Sequence, residues 1–435
     1  MRMFQRRTFL TMSLALGACL GALCLTSPSF GAAEPLPSQI TDDAFWQMVS
    51  DFSEDGGYFR SENFLSNELL FQFIVPTLKE TLKPGGVYLG VGPEQNFTYL
   101  VALQPKIAFI IDIRRQNMVE HLMYKALFEM SADRAEFLSR LFSRKRPPGL
   151  NAEYTTTGLF QAYRVAERDP ESFRQNLQAI KDLLVKKHKF GLTAADEGTL
   201  EHVYKVFFDA GPDLDYSFGA FNGGRSMPTY AELMVATDEQ GKNWSYLATE
   251  ENFQILREME KKNLIVPVVG DFAGPKAVRT VAQYLKEHDA PVTVFYTSNV
   301  EQYLFQQAND WEQFYSNVAT LPLNSSSTFI RSVNTRSYLQ GGPYPGQSQS
   351  VLSPMLDHVS AFKEGRIRSY LDVIQMSKLV REFEGVAATA SPGCTGRCAG
   401  NSSQPLYPEQ SKRLADSSLL RPVRPTQASG NAGGT

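Results

Sequence analysis

The chain has 435 residues, of which 43% are hydrophobic and 20% are charged, as in an ordinary globular protein with an ample core. Its formal net charge of -3 gives no electrostatic basis for binding nucleic acid or an anionic membrane. The sequence contains no HExxH, GxSxG or Walker lysine motif, which disfavours zinc proteases, serine hydrolases of the nucleophile-elbow type and P-loop enzymes.

The first 33 residues have the pattern of an export signal. Arg6 and Arg7 precede an apolar run that ends at Leu25, and small residues follow up to Ala33. The adjacent arginines favour the twin-arginine route, and thus a periplasmic or extracellular protein with no stable transmembrane span after cleavage. Two alternatives stay open: a permanent anchor, for which the run is marginal in length, and lipidation at Cys19.

The next segment predicts helices around a polar-aromatic loop. Apolar residues at helical spacing indicate a helix over 42–52, and a second helix runs through Leu78. The loop between them, residues 56–68, directly precedes the first predicted strand and could fold over a ligand. Tyr58, Arg60 and Asn63 are then candidate contacts, whereas capping and turn formation alone is the competing interpretation.

Residues 85–112 are the most informative stretch of the sequence. A short buried strand ends at Gly90 and Gly92, and a second apolar run ends at Asp112, about 20 residues past this turn. Such a turn lets the backbone approach a ligand, and the acid can accept hydrogen bonds from a ribose. Asn96 replaces the third glycine of a dinucleotide fingerprint, which favours a smaller adenosine-bearing ligand. A purely structural turn is the alternative.

A long helical region follows the second strand. The apolar spacing predicts one helix from Arg114 to Phe142, with His121 as a surface or flanking residue. Residues 147–261 then interrupt the expected strand–helix alternation with mostly helical patterns, typical of a cap inserted at the functional rim. Within this insertion, 216–230 is either a mobile lid carrying Arg225 or an ordinary surface loop.

The strand–helix alternation resumes with three more predicted strands, over 264–271, 291–296 and 328–333. The sequence therefore predicts an α/β protein with a Rossmann-like, mostly parallel sheet, helices on both faces and a large helical insertion. The expected divisions are a signal peptide (1–33), N-terminal helices (34–84), the first half of the Rossmann-like domain (85–146), the helical insertion (147–261), the second half (262–386) and a disordered tail (387–435).

Polar residues follow the fourth predicted strand, where parallel sheets bind their ligands. Asn299 and Tyr303 are the groups best placed to orient a substrate, while capping of the next helix by Ser298 or Asn299 is the competing explanation. In the tail, Cys394 and Cys398 are spaced for a local disulfide in an oxidising compartment, or are two idle thiols. No pattern of metal ligands is apparent.

The motif Gly90-Val91-Gly92 with Asp112 resembles the first two motifs of class I S-adenosylmethionine-dependent methyltransferases. The run ending in Asp271 resembles their third-strand acid, and 296–299 lies where their fourth motif falls. The resemblance implies S-adenosylmethionine as cofactor, with Gly90, Gly92 and Asn96 near the methionine end, Asp112 on the ribose and Asp271 on the adenine. Tyr88 departs from the family, which has an acid at this position. The runs GDFAGPKA and SNVEQYLF also resemble a family of exported bacterial proteins of this predicted fold, from which no activity carries over.

Two functions follow as hypotheses. The first is a methyltransferase-like enzyme in which Asn299 and Tyr303 orient an acceptor of undefined identity. The second is an exported protein that keeps the fold without the reaction and serves as a small-molecule binding or interaction module. Export favours the second, because S-adenosylmethionine is made in the cytoplasm. In both, the expected partner is a small molecule.

Overall fold

The computed structural model describes residues 34–216, 227–334 and 347–379. Its centre is a seven-stranded sheet in the order β3-β2-β1-β4-β5-β6-β7. The strands are β1 (Val87–Gly90), β2 (Ile107–Asp112), β3 (Ile265–Val269), β4 (Val292–Ser298), β5 (Leu323–Asn334), β6 (Ser348–Pro354) and the two-residue β7 (Lys378–Leu379).

The first five strands are parallel, and the order of the chain reverses between β1 and β4. Gly90 pairs with Ile110 of β2, while Leu89 pairs with Phe295 of β4. β1, β2 and β3 are buried along their whole length, which explains their continuous aliphatic runs. The prediction of a Rossmann-like, mostly parallel α/β fold is confirmed, and the reversal is the point where such sheets bind ligands.

Helices surround this sheet on both faces. They are α1 (Asp42–Phe52), α2 (Val75–Thr81), α3 (Gln95–Leu103), α4 (Arg115–Met130), α5 (Arg134–Leu141), α6 (Thr156–Val165), α7 (Pro170–Lys181), α8 (Ala194–Ala210), α9 (Tyr230–Val235), α10 (Glu250–Lys261), α11 (Ala277–Glu287), α12 (Val300–Leu304), α13 (Asp310–Val318), α14 (Met355–Lys363) and α15 (Tyr370–Gln375). A π-helix over Asp182–Lys187 extends α7.

The structure differs from the prediction in one helix and in one additional strand. The single helix expected over 114–142 is broken, because Asp133 accepts a hydrogen bond from the Glu136 backbone N–H and so caps a new helix, α5. β6 was not predicted, since its sequence SQSVLSP has little apolar periodicity. It is stabilised by antiparallel pairing along β5 from Thr328 to Asn334.

The segment over 53–68, which we call the strap, runs across the carboxyl ends of the strands. The backbone N–H of Glu54 donates to Val269 O at the end of β3, and the N–H of Gly57 donates to Ile113 O beyond β2. Further along, the Ser66 N–H contacts the Glu94 carboxylate after β1. The expectation that this loop folds over the ligand edge agrees with its position.

Several predictions concern residues outside the described ranges. These are the signal peptide with Cys19, Arg225 and most of the 216–230 loop, and the tail with Cys394 and Cys398. In the described part of the chain, no helix has the length and apolarity needed to cross a membrane.

Candidate functional site

The turn after β1 is held by a single buried amide. Asn96 Nδ2 donates to the carbonyls of Val91 (2.9 Å), Gly92 (3.1 Å) and Pro93 (2.8 Å), while its Oδ1 accepts from the Tyr88 hydroxyl at 2.8 Å. A Cβ at Gly90 would overlap Asn96 Oδ1. Asn96 therefore braces the turn from inside, and Gly90 is required by this close approach.

Gly92 has a different role in the same turn. Its φ of +76° lies in the left-handed region, and a Cβ built on it would meet no atom within 4 Å. Its carbonyl lies 2.9 Å from His121 Nε2 on α4. The turn is therefore open on the Gly92 side, although it is filled on the Gly90 side.

Asp112 lies at the end of β2, on the strand that neighbours β1, as predicted. Its side chain is only 6% exposed, and Oδ1 accepts from the backbone N–H (2.8 Å) and Nε (3.3 Å) of Arg114. The Arg114 guanidinium also donates to the carbonyls of Ser61 and Glu62 in the strap. Arg114 thus ties the predicted ribose acid to the loop above it.

One face of α4 carries polar side chains that have no hydrogen-bond partner among the described residues. Asn117 and Glu120 have none at either side-chain polar atom, and His121 has none at Nδ1. All three side chains are at least 98% buried. Their spacing of three and four residues places them on one face of the helix, the face that also contacts Gly92. Arg114 Nη2 is orphaned in the same way.

Burial and charge shift the pKa values of these groups. Burial raises the pKa of Glu94 to about 8, against the hydrogen bonds from the Ser66 N–H. Burial also raises the pKa of Glu120 well above its ordinary value; Arg114 opposes the rise, and Glu94 and Asp112 add to it. His121 is neutral at pH 7, because burial lowers its pKa to about 4. A neutral imidazole facing a carbonyl through Nε2 carries its proton there, which leaves Nδ1 as an acceptor.

Sequence reasoning predicted His121 as a surface residue, and this prediction is wrong. The helix packs between α3 and the insertion, so that the His121 ring contacts Phe97 at 5.5 Å between centroids. Glu94 and Glu120 were also missed. For Glu120, the available signal was a charged residue within an otherwise apolar helix. Burying such a side chain without a partner costs free energy.

A second buried acid, Glu68, lies where the sheet order reverses. Its Oε1 accepts from the hydroxyls of Tyr296 (2.9 Å) and Ser298 at the end of β4, and its Oε2 accepts from Gln95 Nε2 (2.9 Å) on α3. Burial raises its pKa, although these hydrogen bonds lower it. Glu68 of the strap therefore places a carboxyl group between β1 and β4, where the strand order reverses. The pattern of strands in the sequence does not reveal this position.

Asp271 follows β3, and its side chain stabilises its own turn. Oδ1 accepts from the Ala273 N–H at 2.9 Å. Burial raises its pKa, with contributions from Asp310 and Glu54. Glu54 of the strap accepts from the N–H groups of Lys276 (2.8 Å) and Ala277 (2.6 Å), at the start of α11. The chain's own carboxylate thus occupies this helix N-terminus.

Asn299 and Tyr303 lie on the rim beyond β4. The side chain of Asn299, the residue before α12, makes no capping hydrogen bond, and Ser298 Oγ donates to Glu68 instead. The capping explanation is therefore wrong for both residues. Tyr303 contacts the strap: Arg60 Nη2 donates to its hydroxyl at 3.4 Å and Phe59 packs edge-on at 5.3 Å. Tyr303 is thereby placed against the loop predicted to cover the ligand.

A cavity of about 570 Å³ opens beside this edge of the sheet. It lies between the end of α1, the start of α4 and the start of α11, and Trp46, Glu54, Arg115 and Lys276 are among its lining residues. Gly92 and Asp112 do not line it. The strap separates this cavity from Asp112, since Gly57 is bonded to Ile113 between them.

Comparison with known proteins gives a family. Residues 63–365 match the family model described as "Domain of unknown function (DUF7790)". No curated protein matches the chain. The matched region contains the braced turn, the polar face of α4, Glu68 and Tyr303, and it spans well over half of the sequence. The chain therefore belongs to the DUF7790 family.

Proposed function

We propose that this protein binds a cationic small molecule of the adenosyl type at the turn after β1 and the end of β2. The observation that carries the proposal is the balance of buried charge around this turn. Three acids, Glu94, Asp112 and Glu120, lie around this turn together with the base Arg114. Burial is the main cause of the raised pKa values of Glu94 and Glu120, and neighbouring acids add to the rise.

This charge balance discriminates between nucleotide classes. A phosphate group would bring negative charge beside the Asp112 carboxylate, and like charges at short range in a poorly solvated site repel strongly. Pro93 also removes one backbone N–H from the region where a dinucleotide would place its phosphates. A ligand with a sulfonium or ammonium group would instead be stabilised by the acids.

S-adenosylmethionine fits this description in charge and in hydrogen bonding. Gly92, with open space beside its Cα, would face the methionine end, and Asp112 has a second carboxylate oxygen available for a ribose hydroxyl beyond the Oδ1 bonds to Arg114. His121 Nδ1 and the Asn117 amide add an acceptor and further donors. When bound, this cofactor supplies an activated methyl group on sulfur.

We favour binding without turnover over methyl transfer as the function of the site. The strap closes the carboxyl edge through bonds to β1, β2, β3 and β4, and Tyr88, which replaces the acid of the methyltransferases, has its hydroxyl engaged with Asn96. Methyl transfer is the second candidate. Tyr303 favours it, since its contact with Arg60 places a polar aromatic group where an acceptor would enter.

Titration calorimetry tests the proposal. We expect S-adenosylmethionine to bind more tightly than S-adenosylhomocysteine, which lacks the sulfonium charge, and we expect excess NAD not to displace it. The advantage of the sulfonium should grow as pH rises from 6 to 8.5, because Glu94, with a pKa of about 8, must lose its proton to attract a cation. Equal affinities for the two compounds at every pH would end the proposal.

A pair of matched variants locates the effect. Glu94→Gln removes the acid that ionises near pH 8 and should reduce the affinity for S-adenosylmethionine at pH 8.5 by about tenfold, the equivalent of 1.4 kcal/mol. Glu260→Gln is the control, since Glu260 is also buried with a pKa raised to about 8 by burial, but lies on α10 beside Lys125. An equal loss in both variants would mean that general destabilisation is responsible. Mass spectrometry of ligand released from the purified protein, and of methylated products, separates binding from turnover.

A further inference from the structure

The helical insertion and α5, the helix before it, border a cavity that is open to solvent and is lined by residues other than those of the turn after β1. Its volume is about 380 Å³. Its lining combines four cationic side chains with one acid and with hydroxyl and amide groups: Arg140, Arg144, Lys145, Arg146, Glu136, Ser139, Ser172 and Asn176. The run 144–146 directly precedes Pro147 and Pro148, and Arg144 is only 7% exposed.

The charges around this cavity are not balanced. Arg140 pairs with Glu136 and Arg146 pairs with Asp133. In the described part of the chain, no acid forms an ion pair with Arg144 or Lys145. Arg168, whose backbone pairs with that of Arg144, brings a further cation to the same place. Two of the four lining cations are therefore left without an ion pair among the described residues, although Asp213 near Arg144 and Asp169 near Lys145 offset part of their charge.

Arg144 is held rigidly in this wall. Its Nη1 donates to the carbonyls of Tyr163 (2.8 Å) and Ala166 (2.8 Å), which fix the plane of the guanidinium. Its Nε is buried and has no partner among the described residues. Burial lowers the pKa of Arg144, and the charge on Arg168 lowers it further. A buried guanidinium with an unused donor and a cationic neighbour is a site that an anion would stabilise.

We propose that this cavity binds a small oxyanion, either inorganic phosphate or the phosphate group of a phosphate monoester. Guanidinium groups match the geometry of phosphate oxygens, and the Lys145 ammonium adds a mobile point charge. The volume lies at the lower end of the range for small-molecule pockets, which suits a single phosphate group with a small organic part. The proposal does not depend on an adenosyl ligand at the turn after β1.

Titration calorimetry and thermal unfolding of the full chain test this site. Sodium phosphate should raise the unfolding temperature above that in sodium chloride of equal ionic strength, because a ligand that binds only the folded state stabilises it. Glycerol phosphate is the second titrant. Tighter binding of the ester identifies a monoester as the ligand, whereas tighter binding of inorganic phosphate identifies the free ion. Failure of both to bind overturns the proposal.

Lys145→Gln is the informative variant, since Lys145 is exposed and its replacement leaves the bonds of Arg144 intact. We expect it to weaken phosphate binding about tenfold. Lys83→Gln is the matched control, with the same change of charge at an exposed lysine just before β1. Equal weakening in the two variants would show that phosphate responds to overall charge, and would overturn the proposal. Binding of S-adenosylmethionine should be the same in Lys145→Gln as in the unaltered chain.

Discussion

Asn96 shows how far single residues could be interpreted from the sequence. The sequence showed only that Asn96 stands where a dinucleotide fingerprint has its third glycine, whereas Asp112 was correctly expected at the end of the neighbouring strand. The hydrogen bond between Tyr88 and Asn96 could not be predicted. It depends on how a side chain in the first turn of α3 meets a side chain of β1 in three dimensions. The departure of Tyr88 from the methyltransferase pattern and that of Asn96 from the dinucleotide fingerprint are thus parts of one hydrogen-bonded turn.

Glu94 gives a prediction at this scale that needs no ligand. Its folded pKa of about 8 exceeds the unfolded value of 4.5, so that the folded state binds the proton more tightly. This contribution to stability is full below pH 4.5 and is lost as pH rises towards 8, by about 1.4 kcal/mol per pH unit for one group. We expect Glu94→Gln to flatten this slope in urea unfolding between pH 5 and 8.

The neutral amide mimics the protonated acid, so Glu94→Gln should be more stable than the unaltered chain at pH 8.5 and similar to it at pH 5. Glu312→Gln, at an exposed acid in the first turn of α13, is the control and should leave the slope unchanged. If the unfolding free energy of Glu94→Gln still falls with pH in the same way, another buried group, such as Glu120, is the one that binds the proton.

The elements of the sheet were predicted well where buried strands gave continuous aliphatic runs, and poorly where pairing alone defines them. β1 to β5 were found within a few residues of their ends, whereas β6 was missed. The same limit applies to α4. Its apolar spacing predicted a helix, but periodicity cannot distinguish a solvent-facing polar residue from a buried one, which is why His121 was predicted as a surface or flanking residue and Glu120 was missed.

A buried ion pair between α12 and β5 provides a prediction for the elements. Arg331 Nε donates to Glu301, both side chains are 1% exposed, and the Tyr315 hydroxyl donates to the same carboxylate at 2.6 Å. Burial raises the pKa of Glu301, but Arg331 outweighs it and the pKa is lowered. Arg331→Met should cost about 3–5 kcal/mol of unfolding free energy, because it leaves a buried carboxylate without its partner.

The double variant Glu301→Leu with Arg331→Met should recover much of this loss, since replacing both charges removes the unpaired one. Chemical unfolding of the two single variants and the double variant forms a complete cycle. Additive losses would contradict a direct coupling between α12 and β5.

For the whole molecule, the family model begins at residue 63, inside the strap. The structure nevertheless packs earlier residues onto the sheet: Phe45, Met48 and Val49 of α1 are buried. A chain that starts at residue 63 should therefore lose about 1.5–3 kcal/mol for each of these side chains. Thermal unfolding against a chain that starts at residue 34 measures this difference, and hydrogen exchange should show β3 opening first.

Equal stability of the two chains would mean that α1 is an accessory to this fold and that the matched region is sufficient by itself. The divisions expected along the chain stay predictions, as does export. The architecture of the described residues was predictable because strand–helix alternation reports topology directly. The strap's bonds to β3 and β4 were not, since they join residues separated by more than 200 positions.

The outermost position of β3 has a consequence for contacts between molecules. An edge strand with free backbone groups is a template on which a strand of another chain can grow. Here the Val269 N–H donates to Ser53 Oγ at 2.9 Å, and its carbonyl accepts from the Glu54 N–H at 2.8 Å. The strap thus satisfies backbone groups at the end of this edge strand and hinders its pairing with a strand of another molecule. Loss of Ser53 and Glu54 should promote fibrillar self-association.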